Sequence, residues 1–326
     1  MKKPYLIVTS SDKKYGDFLI EHWLTSLKEN VNLSKIDILI LDYGLSKAQR
    51  FYLKNDGVLL KECVKDNHVA NIRFRDLLSF LKENNNYEQI LSCDGGDIIF
   101  QDDISFLFEE HKDSFRAVCE KITSPFEYFI TTEYFFKSDI KPLKEILIVN
   151  KTINAGFFLA PYDKMVMLCQ KVVDMVKNKS KFGPDQIVVN YVMYKTGFVE
   201  LDTKYNFIPA TNNEEFYIKD GVFYDANGKK IPVVHNAGNI RFFRSIENFG
   251  YGKGFNILKT DILNTLRALY TSLSIINKPR TEIVKATKKL ESLFNSMFEE
   301  NRTNYKMQKI MLKKALRNIK KLKPKL

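Results

Sequence analysis

The chain has 326 residues, 44% hydrophobic and 28% charged. That is enough apolar material for one large core, and it excludes an intrinsically disordered protein; no apolar run approaches the ~18 residues of a membrane span or forms a signal-peptide core after Met1-Lys2-Lys3-Pro4. The formal net charge of +12 is uneven: residues 301–326 carry ten basic side chains and no acidic one, so the remainder is nearly neutral, which argues against a broad nucleic-acid surface and for a basic tail.

Tyr5-Leu6-Ile7-Val8-Thr9 is a continuous apolar run and predicts a buried first strand, followed by a polar loop from Ser10 to Gly16. Phe18, Leu19, Trp23, Leu24 and Leu27 recur at helical spacing, and Ile36 to Leu41 predicts a second strand. Ser46 is placed to cap a helix carrying Phe51 and Leu53, with a third strand over Gly57 to Leu60. Residues 71–82 predict a helix with Phe74, Leu77, Leu78 and Leu81 on one side. Strand, helix, strand, helix, strand in this rhythm implies an α/β fold with a mostly parallel sheet and helices on both faces. Four scattered cysteines (Cys63, Cys93, Cys119, Cys169) with no CxxC pair read as reduced residues of a cytoplasmic protein.

Next comes Leu91-Ser92-Cys93-Asp94-Gly95-Gly96-Asp97-Ile98-Ile99-Phe100, two short apolar runs around two carboxylates and two glycines. The glycines allow a sharp turn and a close ligand approach. Two carboxylates there suit a hard divalent cation that also holds phosphate oxygens, or they form an ordinary Asp-Gly turn between strands. Ligands in such sheets bind beyond the carboxyl ends of strands, where Thr9, Ser10, Asp12, Asp94 and Asp97 fall.

The second half is less regular. Phe115 to Cys119 predicts a strand, 122–149 is rich in aromatics, and Asn154 to Ala160 predicts another strand. Residues 165–176 predict an amphipathic helix; Gly183-Pro184-Asp185-Gln186 opens a further one. Asn227-Gly228 between Val222-Phe223-Tyr224 and Ile231 to Val234 is a hairpin signal, and His235 follows. Gly250, Gly252 and Gly254 mark a boundary, so the expected domains are 1–255 and a helical extension, 256–326, with helices over 257–276 and 281–298. The last segment combines an apolar stripe with lysines: an amphipathic basic helix that lies on an anionic membrane surface, or packs on its neighbours or on a second subunit of a homo-oligomer.

Five pieces in order carry a resemblance: Val8-Thr9-Ser10-Ser11-Asp12; Asp94-Gly95-Gly96-Asp97 with Asp103-Ile104 downstream; Asn154-Ala155-Gly156; Asp185-Gln186; and His235-Asn236-Ala237-Gly238-Asn239-Ile240-Arg241. Over roughly residues 5–245 the chain resembles GT-A glycosyltransferases, closest to the family 8 type. The resemblance implies a GT-A fold, a nucleotide-sugar donor (a UDP-hexose), a glycan or lipid-linked acceptor, and Mn2+ or Mg2+ held by an Asp-x-Asp motif and a later His. Asp97 matches the second Asp of that motif. The first falls on Gly95, so Asp94, one residue early, is its nearest substitute, and His235 is the third metal ligand.

Gly238 and Arg241 take the places of a Gly and a Lys in a phosphate-binding turn; the guanidinium fork suits phosphate oxygens. Asp185 and Gln186 would lie beneath the reacting sugar carbon. Gln186 could stabilise an oxocarbenium ion; Asp185 could bind hydroxyls or act as a base, its alternative being a helix cap. Asn154 would bond sugar hydroxyls; Thr9, Ser10 and Asp12 would line the nucleotide pocket; and Arg73 or Arg75 would reach the donor. The resulting expectation is a hexosyltransferase acting with retention, cytoplasmic or peripheral on the inner membrane face. A non-catalytic nucleotide-sugar or glycan-binding protein and a sugar-1-phosphate nucleotidyltransferase are the competing readings.

Overall fold

The computed structural model describes residues 3–122, 130–147, 149–238 and 244–274. The elements run β1 (Tyr5–Ser11), α1 (Gly16–Phe18), α2 (Thr25–Asn30), β2 (Ile36–Asp42), α3 (Lys47–Asn55), β3 (Leu59–Glu62), α4 (Val69–Glu83), β4 (Gln89–Cys93), β5 (Ile98–Phe100), β6 (Phe115–Cys119), α5 (Lys137–Leu147) and β7 (Ile153–Pro161). They continue as α6 (Tyr162–Met175), α7 (Pro184–Thr196), β8 (Phe198–Glu200), α8 (Pro209–Asn212), β9 (Phe216–Lys219), β10 (Val222–Asp225), β11 (Val233–His235), β12 (Ile246–Glu247), β13 (Ile257–Leu258) and α9 (Thr260–Ser274).

Seven strands form the central sheet in the order β3-β2-β1-β4-β7-β6-β8. All neighbours are parallel except the pairs that β7 makes with β4 and β6. The strands are continuous apolar runs because both faces are covered. Along β1, Leu6 and Val8 join a core with α4, α6 and α7, while Tyr5 and Ile7 face the opposite core of Leu19, Trp23, Leu24 and Leu27. This is the α/β, mostly parallel architecture that the alternation implied.

Local signals behave unevenly. Ser46 forms a full capping box with Gln49, and α4 buries Phe74, Leu77, Leu78 and Leu81. Phe51, however, is 69% exposed, since α3 turns only Gln49 and Leu53 inward. Between α1 and α2 the helical stretch widens to a π-helix over Leu19–Leu24, a form common beside functional sites.

The Asn227-Gly228 turn closes a short antiparallel hairpin, with Gly228 N–H donating to Asp225 O at 3.0 Å, Asp225 N–H to Lys229 O at 2.9 Å and Ile231 N–H to Phe223 O at 3.1 Å, and with Tyr224 bridging Lys230. The pairing ends at Ile231: β11 leaves to pair with β5, where Val233 and Val234 are fully buried. β10 also pairs with β9 through Asp220-Gly221, whose φ values of 51° and 82° are those of a primed hairpin turn. One expectation is corrected. Ile257 opens no helix: it is 56% exposed and pairs with Glu247 in the β12–β13 ladder, and the helix starts at Thr260. The first helix of the expected extension packs on α8, with Leu266 against Ile208 and Ala210 and Arg267 donating to Pro209 O and Glu214 O. No helix among the described residues is long and apolar enough to cross a membrane.

Candidate active site

The site lies at the carboxyl ends of β1 and β4, where the antiparallel β7 brings in its opposite end. β7 aligns Phe157 with Cys93, and Asp94 N–H donates to Gly156 O at 2.9 Å, which sets Asn154-Ala155-Gly156 beside Asp94. β11 aligns His235 with Ile98, and Asn236 N–H donates to Asp97 O at 2.9 Å, which sets His235 beside Asp97. Residues 91 to 235 are thus joined by two ladders, neither visible in local periodicity.

The missing first Asp has a steric reason. A Cβ at Gly95 would lie 2.6 Å from Thr9 Oγ1 and 3.0 Å from Leu19 Cδ1, so position 95 faces the interior beneath β1. Asp94 faces the site instead. Donor atoms of Asp94, Asp97 and His235 lie within 4.8 Å of one another. His235 Nε2 is 3.4 Å from Asp97 Oδ1 and 3.7 Å from Asp94 Oδ2. Oxygen and imidazole donors sharing one divalent ion sit about 3–4 Å apart, so this set fits Mn2+ or Mg2+.

Space for an ion is left by Gly156. A Cβ there would lie 2.5 Å from His235 Cε1 and 2.8 Å from Asp94 Oδ2. Each carboxylate turns its second oxygen outward to an arginine: Asp94 Oδ1 to Arg73 at 2.5 Å, and Asp97 Oδ2 to Arg244 at 2.9 Å. Arg73 also donates to Ala155 O at 3.2 Å and to Asp185 Oδ2 at 3.4 Å. The two guanidiniums hold the carboxylates in place and balance their charge in a desolvated setting.

The protonation states follow. Burial would raise the Asp97 carboxyl, but His235, Arg244 and Arg73 together hold it below the usual carboxylate range. Burial would lower the His235 imidazole, but Asp97 and Asp94 raise it above its ordinary value. Asp185 is pushed up to about 6 by burial, with Asp94 adding to the shift and Arg73 opposing it. Glu120, buried at the end of β6, is pushed up to about 7 by burial, opposed by an Asn154 hydrogen bond and by His235.

A cavity of ≈ 710 Å³ opens over this centre, lined among others by Ser10, Asp12, Asp94, Asp97, Asn154, Asp185, Gln186, His235, Gly238 and Arg244. Asp12 accepts from Lys14 N–H at 2.9 Å and pairs with Lys65 at 2.7 Å; burial would raise it, but Lys65 and the backbone donors hold it low. Asp185 stands in the first turn of α7, its N–H donating to Asn71 Oδ1 at 3.2 Å.

Thr9 is not brought to the cavity: it is 3% exposed beneath Gly95. Arg75 pairs with Asp66 and Asp76 away from the site. Arg241 lies outside the described residues, as do Phe126, Tyr128, Phe129 and the tail 301–326. Of the aromatic segment, Phe135 is buried and Phe136 exposed; the rim aromatics are instead Tyr15 and Phe182.

Several site residues escape the sequence reading. Arg244 had a weak signal, as an arginine nine residues beyond His235. Glu120 had one too, as a carboxylate directly after the apolar run Phe115–Cys119. Asn206 had none; it arrives because Phe207 bridges to Val234, with His235 N–H donating to Phe207 O at 2.9 Å.

Among solved structures the chain shares the GT-A glycosyltransferase fold, an α/β mixed, mostly parallel sheet with helices on both faces. One similar structure is the apo form of WbbM, a bifunctional glycosyltransferase: TM-score 0.50, 16% identity, covering 74% of this chain and 47% of that one. The chain thus spans about half the length of WbbM. Two structures of LgtC are also similar. One is the galactosyltransferase with donor and acceptor sugar analogues, at TM-score 0.46 and 16% identity over 82% of this chain and 95% of that one. The other is an active-site glutamine-to-glutamate mutant, at TM-score 0.47 and 15% identity over 80% and 94%. No protein-family model and no curated protein sequence matches the chain.

Proposed function

We propose that this chain is a metal-dependent glycosyltransferase that moves a hexose from a nucleotide-diphosphate sugar, UDP-linked, to a glycan or lipid-linked acceptor with retention of configuration. One observation carries this reading: Asp94, Asp97 and His235 converge around a space kept open by Gly156, flanked by Arg73 and Arg244, at the floor of a cavity large enough for a nucleotide sugar. A divalent ion bound there would neutralise charge on the departing diphosphate. Asp94, Asp97 and His235 would hold it. Arg244, and Arg241 three residues beyond Gly238 in the sequence, would take diphosphate oxygens.

Ser10 and Asp12 would bind the nucleoside, with Tyr15 at the rim beside it. Asn154 would bond the hexose hydroxyls. Gln186 would place its amide oxygen against the developing positive charge at the anomeric carbon. Asp185, anchored by Arg73, would bind a sugar hydroxyl. As the anomeric C–O bond to the diphosphate breaks, the acceptor oxygen bonds the same face of the carbon, and the acceptor proton passes to the departing phosphate oxygen.

Calorimetry with UDP should show binding strengthened by Mn2+, and UDP-glucose or UDP-galactose should be hydrolysed slowly without acceptor. Asp97→Ala should lower that hydrolysis by about a thousandfold or more. A chain that binds no nucleotide with or without metal would end the transferase reading. Metal-assisted binding with no turnover would favour the non-catalytic alternative. The basic composition of residues 301–326 supports contact with anionic lipid at the cytoplasmic face; equal liposome pelleting of the full chain and a chain ending at 300 would remove that part of the proposal.

A further inference from the structure

A buried chain of side chains runs behind the metal-binding cradle. Asn154 Nδ2 donates to Glu120 Oε1 at 2.9 Å, Asn154 Oδ1 accepts from Gly156 N–H at 2.9 Å, Asn206 Nδ2 donates to Asn154 Oδ1 at 3.1 Å, and Asn206 Oδ1 meets His235 Nδ1 at 2.9 Å. Relative exposures are 6% for Glu120, 8% for Asn154, 0% for Asn206 and 2% for His235, so the chain cannot be rewired through bulk water.

We propose that Asn206 is a positioning residue that fixes the proton of His235 on Nδ1 and so keeps Nε2 free to bind metal, with the direction of the chain set by the backbone N–H of Gly156. This rests on the metal-site reading above.

The argument begins from a group with no orientational freedom. A backbone N–H can only donate, so the Asn154 atom facing Gly156 is the oxygen. Its amide nitrogen then faces Glu120, which suits either protonation state of that carboxyl. The second lone pair of Asn154 Oδ1 receives the Asn206 amide nitrogen. That leaves Asn206 Oδ1 towards His235, and an amide oxygen can only accept, so Nδ1 carries the proton. The other tautomer would set two buried acceptors face to face, and reversing Asn206 would set its amide oxygen against Asn154 Oδ1. Nε2, at the far side of the ring, faces Asp94 and Asp97 at 3.7 and 3.4 Å, so its lone pair is matched when a divalent ion lies between the three groups. Ligand histidines in general have their second nitrogen fixed in this way. Here the fixing partner also holds Asn154, the cavity residue placed for the donor sugar, so metal and sugar sites share one support.

The test uses the full chain labelled with 15N-histidine, the His235 signal being assigned by its loss in His235→Gln. In alkaline buffer with saturating Mg2+, proton–nitrogen correlation should show the Nδ1–H form in the wild type. Asn206→Leu, which leaves Nδ1 without an acceptor, should lose that form, and Mn2+ affinity read by electron paramagnetic resonance should fall about 10- to 100-fold. An Nε2–H ring in the metal-bound wild type would overturn the proposal, as would a folded Asn206→Leu chain with unchanged Mn2+ affinity. Should Asn206→Leu fail to fold, the wild-type tautomer decides alone, since it needs no variant at position 206. A wild type that binds neither ion would remove the metal reading and this proposal with it, whereas an Nε2–H ring in a chain that binds the ion would overturn this proposal alone.

Discussion

The half of the site supplied by β1, α4 and β4 and the half supplied by β6, β7, β11 and the segment around Asn206 are built by different rules. In the first half, Ser10, Asp12, Arg73 and Asp94 sit on or just beyond elements whose order in sequence is nearly their order in space, with β1 beside both β2 and β4. In the second, Glu120, Asn154, Asn206, His235 and Arg244 come from five separate stretches and meet because strands distant in sequence pair. The first half supplies charged groups on a rigid parallel frame; the second supplies the orientation of those groups. Variants that remove charge and variants that remove orientation should therefore fail differently.

The largest stability effect should come at the seam between the halves. Arg73 is 11% exposed and joins Asp94 from the first half to Ala155 O on β7 in the second, and to Asp185 on α7 behind them. Arg73→Met keeps much of the side-chain bulk but leaves two carboxylates without their cation. Urea unfolding at neutral pH should show a loss of about 3–5 kcal/mol, recovered in part by Asp185→Asn in the same chain. An unchanged midpoint would mean that the two halves are not held together by this guanidinium.

What could be read from sequence divides along the same line. The parallel frame was legible because each strand is an apolar run and each helix carries its own cap or stripe, as Ser46 and Phe74 show. Asp94 and Asp97 were visible as carboxylates in a glycine turn. That Asp94 rather than residue 95 faces the cavity was not, since it depends on Thr9 and Leu19 lying under Gly95. Asn227-Gly228 and Asp220-Gly221 both turn the chain back on itself, but a turn signal does not say how far the pairing runs: Val233–His235 leaves the Asn227-Gly228 hairpin to pair with β5. Asn206 was illegible in principle: an asparagine between two aromatics has no local pattern, and its partners are 29 and 52 residues away.

A second effect should appear only as a function of pH, and only in the second half. Burial pushes Glu120 up to about 7. A carboxyl raised in the folded state contributes stability that is fully present below its unfolded pKa, about 4.3, and is lost as pH rises through about 7. Glu120→Gln keeps an oxygen to accept from Asn154 and removes the titration. Its stability relative to wild type should rise across that window and reach on the order of 3–4 kcal/mol at alkaline pH. Asp185 titrates near 6 in both proteins and drops out of the difference. A pH-independent difference would show that Glu120 stays charged and paired.

The smallest effect lies in the first half and separates frame from site. Ser46 and Gln49 form the capping box of α3, each accepting from the other's backbone N–H, at 3.2 and 2.9 Å. Gln49 also donates to Asp17 Oδ1 at 2.7 Å and to Lys13 O at 3.4 Å, so it braces the loop that carries Lys14 and Tyr15 to the cavity rim. Ser46→Ala and Gln49→Ala should each cost about 1 kcal/mol in thermal or urea unfolding. Only Gln49→Ala should also weaken UDP binding by a few-fold, because only its side chain reaches the loop after β1. Equal UDP affinities would mean that the rim is held by Asp12 and Lys65 alone, and that the frame contributes rigidity without shaping the nucleotide side of the cavity.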